Sequence, residues 1–238
     1  MKLRFMLVVA TIATIALPAL AQSAEGRSLV IYGLGAAMDG TVGAGPITAE
    51  LDASASDIFS NLEMGGMAAY RNDTGRWAWG AEAIYMGLGN ADTAADVEVD
   101  EWIVAATAGY ELNERCDIVG GLRYMDLSTE VTVSGPLDGV HHAKVGADWI
   151  DPFFGVRLNF PVGKKSIIVA QGTVGGFGIG SDLSIDAGAF FEMGLSERTS
   201  FLLGYRALDV DYEEGEGADR FKFDTVSHGP AIGIRIRL

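Results

Sequence analysis

Gly229-Pro230-Ala231-Ile232-Gly233-Ile234-Arg235-Ile236-Arg237-Leu238 sets two chemistries against each other at alternate positions. Pro230, Ile232, Ile234, Ile236 and Leu238 share one parity, while Gly229, Ala231, Gly233, Arg235 and Arg237 share the other. Successive side chains of a strand point to opposite faces, so this segment builds one apolar face and one face of small residues and arginine. The same split recurs upstream. Trp77, Trp79, Ala81, Ala83 and Tyr85 oppose Ala78, Gly80, Glu82 and Ile84; Ile150, Pro152, Phe154, Val156 and Leu158 oppose Asp151, Phe153, Gly155 and Arg157; Ile185, Ala187, Ala189, Phe191 and Met193 oppose Asp186, Gly188, Phe190 and Glu192.

The composition of the second face decides which side meets what. A water-facing sheet carries a dense coat of Lys, Glu, Thr and Ser. Here isolated charges sit among Gly, Ala and large apolar residues, which is the composition of a crowded interior. The apolar parity therefore faces lipid. In hydrocarbon each unpaired backbone group costs several kcal/mol, so such a sheet has to close on itself. Glycine, at 32 residues and scattered through the apolar segments, disfavours helices and suits closely packed, bent strands.

Ten alternating segments are legible, at 29–38, 63–71, 77–88, 97–112, 117–133, 149–160, 166–177, 183–195, 199–212 and 220–238. They predict an all-β, closed antiparallel transmembrane barrel of about ten strands, with eight as the alternative. An even number places both chain ends on one side. The turns at 72–76, 113–116, 162–165 and 196–198 are tight, whereas 89–96, 134–148 and 213–219 are acidic or glycine-rich, so the tight turns are assigned to the periplasm. The short 178–182 connection is an exception on the long-loop side. Ser56-Asp57-Ile58-Phe59-Ser60-Asn61-Leu62 breaks the strand pattern and predicts a short helix that covers a barrel mouth or plugs the lumen.

The N-terminus has a different grammar. Lys2 and Arg4 precede the apolar run 5–17, and Ala19-Leu20-Ala21 offers small residues for cleavage, so residues 1–21 read as a signal peptide and 22–238 as the barrel domain. The run is too short for a comfortable membrane-spanning helix of roughly 20 residues. Export, removal of the leader and residence in the bacterial outer membrane are the expectation. Net charge is −15, which disfavours a nucleic-acid partner, because phosphates must be met by clustered cations. The single cysteine, Cys116, excludes an internal disulfide.

The inward parities supply both signs of charge: Glu82, Glu101, Asp151 and Glu192 with Arg123, Arg157, Arg206, Arg235 and Arg237. Buried charges are costly unless paired, so an interior ion-pair network is predicted, its pairings awaiting the strand register. Trp77, Trp79, Tyr85, Trp102, Tyr124 and Trp149 read as aromatic anchors at the membrane interfaces. Gly121-Leu122-Arg123-Tyr124-Met125-Asp126-Leu127 also resembles Gly204-Tyr205-Arg206-Ala207-Leu208-Asp209-Val210, a weak hairpin repeat.

Catalytic and cofactor chemistry finds little support. His141 and His142 sit in the longest predicted loop without further metal ligands. His228 has Ser227 and Asp224 nearby, but adjacent strand residues point to opposite faces and do not readily share a proton. The glycines of 172–180 lack the helix and lysine of a phosphate loop. Asp209, Asp211, Glu213, Glu214, Glu216 and Asp219 follow no EF-hand spacing. No cofactor, no metal and no enzymatic activity are expected.

Asp57-Ile58-Phe59-Ser60-Asn61-Leu62, Asp148-Trp149-Ile150-Asp151-Pro152-Phe153-Phe154-Gly155-Val156-Arg157, Gly175-Gly176-Phe177-Gly178-Ile179-Gly180-Ser181-Asp182 and Leu203-Gly204-Tyr205-Arg206-Ala207-Leu208-Asp209-Val210-Asp211-Tyr212 resemble a group of uncharacterised proteobacterial outer-membrane β-barrel proteins. The resemblance spans essentially the whole mature chain and implies fold and location, not an activity. Outer-membrane barrels commonly end in an aromatic residue that assists the barrel-assembly machinery, whereas this chain ends Ile236-Arg237-Leu238. Expected partners are outer-membrane lipid, lipopolysaccharide and that machinery, with the oligomeric state open. Three roles remain: a structural or surface-interaction barrel, a narrow pore for small solutes with Arg123, Arg157 and Arg206 favouring anions, and a surface hydrolase using His228.

Overall fold

The computed structural model describes residues 26–91, 95–135 and 139–238; the signal-peptide reading at 1–21 lies outside the described residues. Alternation along each segment produces β1 (Gly26–Leu34), β2 (Ala37–Ala44), β3 (Ile47–Ala53), α1 (Ala55–Asn61), β4 (Leu62–Thr74), β5 (Trp77–Ala91), β6 (Ala95–Asn113), β7 (Cys116–Gly135), β8 (Gly139–Pro161), β9 (Ser166–Gly176), β10 (Leu183–Gly194), β11 (Thr199–Glu214) and β12 (Phe221–Arg237). β1 and β4 to β12 form a closed antiparallel ring of 10 strands. β1 closes it by pairing with β12 from Ser28↔Arg237 to Leu34↔Ala231. Closure leaves the ten-stranded ring itself without a free edge, which the lipid-facing parity demands, while β3, paired only with β2, lies beyond the ring.

The first predicted strand, 29–38, is divided in the structure. β12 is long enough to hold two partners: its C-terminal half pairs with β1, and its N-terminal half pairs with β2 from His228↔Ala37 to Phe221↔Ala44. The handover lies at Gly35, whose N–H donates to the Pro230 carbonyl at 2.8 Å. A Cβ on the facing Gly229 would sit 2.0 Å from the Gly35 carbonyl oxygen, so the chain crosses there only because Gly229 has no side chain. β2 then folds back on β3, a hairpin absent from the sequence expectation.

The loop expected at 134–148 is largely a hairpin wall. β8 begins at Gly139, with Val133↔His141 and Thr132↔His142 in register, so both histidines lie on a strand. β9 and β10 are joined by the short Phe177–Asp182 turn, which leaves this sector of the rim low. Phe177 takes φ 59°, an uncommon value for a bulky residue, and its ring stacks on Phe154 at 5.6 Å.

Outward residues include Trp77, Trp79, Leu122, Phe154, Leu203, Ile232 and Ile234, all exposed; inward residues include Ala78, Val119, Phe153, Leu202 and Ala231, all buried. For a water-soluble sheet that order would be inverted.

Candidate functional site

The site is the lumen, and three layers fill it. The middle layer is an ion-pair bridge hung from opposite walls. Arg206 on β11 donates from Nε to Asp186 Oδ1 at 3.0 Å and from Nη2 to Asp186 Oδ2 at 2.8 Å. It also reaches Glu82 on β5, from Nη1 to Oε1 at 3.0 Å and from Nη2 to Oε2 at 2.9 Å. Tyr32 on β1 donates to Glu82 Oε1 at 2.7 Å and accepts from Arg206 Nη1 at 2.9 Å; Arg123 on β7 donates to Asp186 Oδ2 at 2.8 Å. β5 and β10 face each other across the ring, so one guanidinium with two carboxylates ties the barrel through its centre. Bidentate guanidinium–carboxylate bonds are among the strongest and most directional available to side chains.

Above this bridge the lumen is apolar. Met38, Met86, Met125, Trp149, Tyr212 and Phe223 form one buried cluster. Ile58 of α1 is buried in the same cluster, so the helix corks the mouth. α1 holds its shape through a capping box: Asp57 N–H donates to Ser54 Oγ at 3.3 Å, while Ser54 N–H and Oγ donate to Asp57 Oδ2 at 3.0 and 2.6 Å. These Ser54 bonds hold the Asp57 carboxyl below its ordinary value.

Below the bridge lies a cavity of about 200 Å³, lined by Arg71, Arg157, Gln171, Glu192 and Arg235 among others. Arg235 Nη1 meets Glu192 Oε2 at 3.2 Å. Arg71 Nη2 meets Asp73 Oδ1 at 2.8 Å and Asp117 Oδ2 at 3.4 Å.

The structure thus joins Glu82 to Arg206 and Glu192 to Arg235, and it puts Arg123 against Asp186. Asp186 and Tyr32, central to the bridge, were absent from the predicted set, although Asp186 lies on the charged parity of its strand. Glu101 is buried beside the apolar layer, and Arg237 is exposed at the end of β12. Asp151 is a correction. It is inward and fully buried, but it accepts from Ser181 N–H and Ser181 Oγ, both at 2.7 Å, and so pins the Phe177–Asp182 turn instead of joining the bridge.

Trp149 is the second correction. It is 5% exposed and stacks on Tyr212, with centroids 4.0 Å apart, inside the mouth. Its odd number on β8 shares the parity of Asp151 and Phe153, so the alternation itself points it inward. Trp77, Trp79 and Trp102 face outward, as does Tyr85, which packs on Trp102 at 4.6 Å and donates to Asp100 Oδ1 at 2.7 Å. Tyr124 hydroxyl donates to Asp126 Oδ2 at 3.3 Å.

His228 finds partners that sequence proximity did not suggest. Its Nδ1 lies 2.6 Å from the Tyr205 hydroxyl and its Nε2 lies 3.1 Å from Asp39 Oδ2, which links β11, β12 and β2 on the outer rim. Only the register of three strands brings them together. Among the described residues, no group of three or more His, Cys, Asp or Glu is placed to hold a metal ion.

No family model and no curated protein matches the chain. Among solved structures, it resembles the translocator domain of the autotransporter NalP from Neisseria meningitidis, at 12% identity over 91% of this chain and 90% of that one, with a TM-score of 0.48. Ail, the attachment invasion locus protein of Yersinia pestis, is 12% identical over 90% of this chain and 99% of its own, at TM-score 0.40. Neisserial surface protein A is 10% identical over 90% and 100%, at TM-score 0.30. The closed ring and its apolar outward face define the class: the chain has the architecture of a transmembrane β-barrel.

Proposed function

We propose that this is a small, side-chain-filled barrel with a structural or surface-interaction role, and that it does not conduct solutes or catalyse a reaction. The observation that carries the reading is the Glu82–Arg206–Asp186 bridge between opposite walls, roofed by the apolar cluster and α1. Water crosses neither layer without disruption of buried ion pairs or exposure of apolar side chains. The rising hairpins β5–β6, β7–β8 and β11–β12 remain as the surface offered to the outside. In this reading, export precedes cleavage after Ala21, the assembly machinery inserts the barrel, and the outward aromatics seat it among phospholipid and lipopolysaccharide.

The test is planar-bilayer recording of the refolded barrel. Quiet traces support a filled lumen, whereas steady, water-filled openings contradict it. A narrow anion pore would have to part the bridge, because Arg123 and Arg206 are held by Asp186 and Glu82.

A further inference from the structure

The lumen arginines are unequally served. Arg206 spends its donors on two carboxylates and Tyr32, and Arg71 is shared between Asp73 and Asp117. Arg235 meets Glu192, yet its Nε is buried without an acceptor, and Arg123 Nη1, at the upper end of the same cavity, is likewise unmatched. Arg157 makes no ion pair or hydrogen bond among the described residues. The charges that act on it most are Arg71, Arg235, Asp117 and Asp73, and both acids already accept from Arg71.

Gln171, the direct cross-strand partner of Arg157, adds an amide to the same wall. The cavity is therefore rich in donors whose nearby acceptors are taken. Buried donors left unmatched are costly, and guanidinium N–H groups are matched best by anionic oxygen. Beneath the bridge, Arg71, Arg157 and Arg235 face Asp73, Asp117 and Glu192, three charges of each sign, so what favours an anion there is the unmatched guanidinium N–H groups and not a net charge.

We infer that the lower lumen binds a small tetrahedral oxyanion, of the phosphate or sulfate class, between Arg157, Gln171 and Arg235. About 200 Å³ holds such an ion with some of its water and excludes a phospholipid with its chains. The bridge above blocks onward passage, so binding and conduction are separate properties, and a silent bilayer trace leaves the site intact.

Thermal unfolding of the barrel in zwitterionic nanodiscs, with inorganic phosphate exchanged for chloride at constant ionic strength, reads the site directly. Phosphate should raise Tm where chloride does not. Arg157→Gln should weaken phosphate at least tenfold, while Arg27→Gln at the exposed start of β1 should leave affinity unchanged. Equal shifts with phosphate and chloride, the result expected if water alone fills the cavity, overturn the proposal. So does phosphate affinity in Arg157→Gln within twofold of wild type. If that variant does not refold, Gln171→Met takes its place, with severalfold weaker binding expected and unchanged binding decisive against the site.

Discussion

Replacing Arg206 by methionine removes the centre of the bridge while keeping much of its bulk. Five hydrogen bonds go, and Glu82 and Asp186 remain as carboxylates inside the barrel. Breaking a buried pair by removing one partner costs about 3–5 kcal/mol, because a charge is left without compensation. Here each carboxylate keeps one donor, Tyr32 for Glu82 and Arg123 for Asp186, so the loss should fall near the lower end, about 3 kcal/mol. That is roughly a hundredfold change in the folding equilibrium. Urea titration of the barrel in phosphatidylcholine vesicles, followed by gel mobility of the folded and unfolded forms, measures it. The triple variant Glu82→Gln, Asp186→Asn, Arg206→Met should regain most of the loss, since an uncharged layer has no ion to desolvate. A single-variant cost below about 1 kcal/mol would refute the claim that the bridge is a desolvated, structural layer.

The cork and the rim give further expectations. Ser54→Ala should cost α1 about 1 kcal/mol, seen as faster amide exchange over Ala55–Asn61 with the barrel's own unfolding unchanged. Because the folded Asp57 carboxyl lies below its ordinary 3.8, its contribution is complete above the unfolded value and disappears as pH falls through the lower folded one; α1 protection should hold at pH 6 and decline below about 4. Asp151→Ala removes two charge-assisted bonds and strands the Ser181 donors, which should cost about 3 kcal/mol and loosen the Phe177–Asp182 turn to proteolysis. Mass spectrometry of the protein from outer membranes should find Gln22 at its N-terminus.

Much of the barrel was legible because its evidence is local. A period of two, read with the residue types on each parity, yields strand positions, the outward apolar face and the tight turns between strands. The β2–β3 hairpin was not legible: Gly40-Thr41-Val42-Gly43-Ala44-Gly45 is too glycine-rich to alternate, and only pairing with β12 makes it a strand. Helix placement was readable to within a residue or two: the helix expected over 56–62 is observed as Ala55–Asn61, capped by Ser54. The lumen partners needed register. Glu82 and Arg206 lie 124 positions apart, and no spacing rule relates them. Trp149 was misassigned by residue type, an aromatic taken for an interfacial anchor, when its parity already placed it inside.

Everything functional depends on which parity meets lipid, and the tryptophans report on it directly. In single-tryptophan variants reconstituted with brominated phospholipids, Trp77, Trp79 and Trp102, at 59%, 52% and 46% exposure, should be quenched. Trp149, stacked on Tyr212 inside the mouth, should keep its emission. Strong quenching of Trp149 together with unquenched Trp77 and Trp79 would contradict the orientation and the closed lumen built on it.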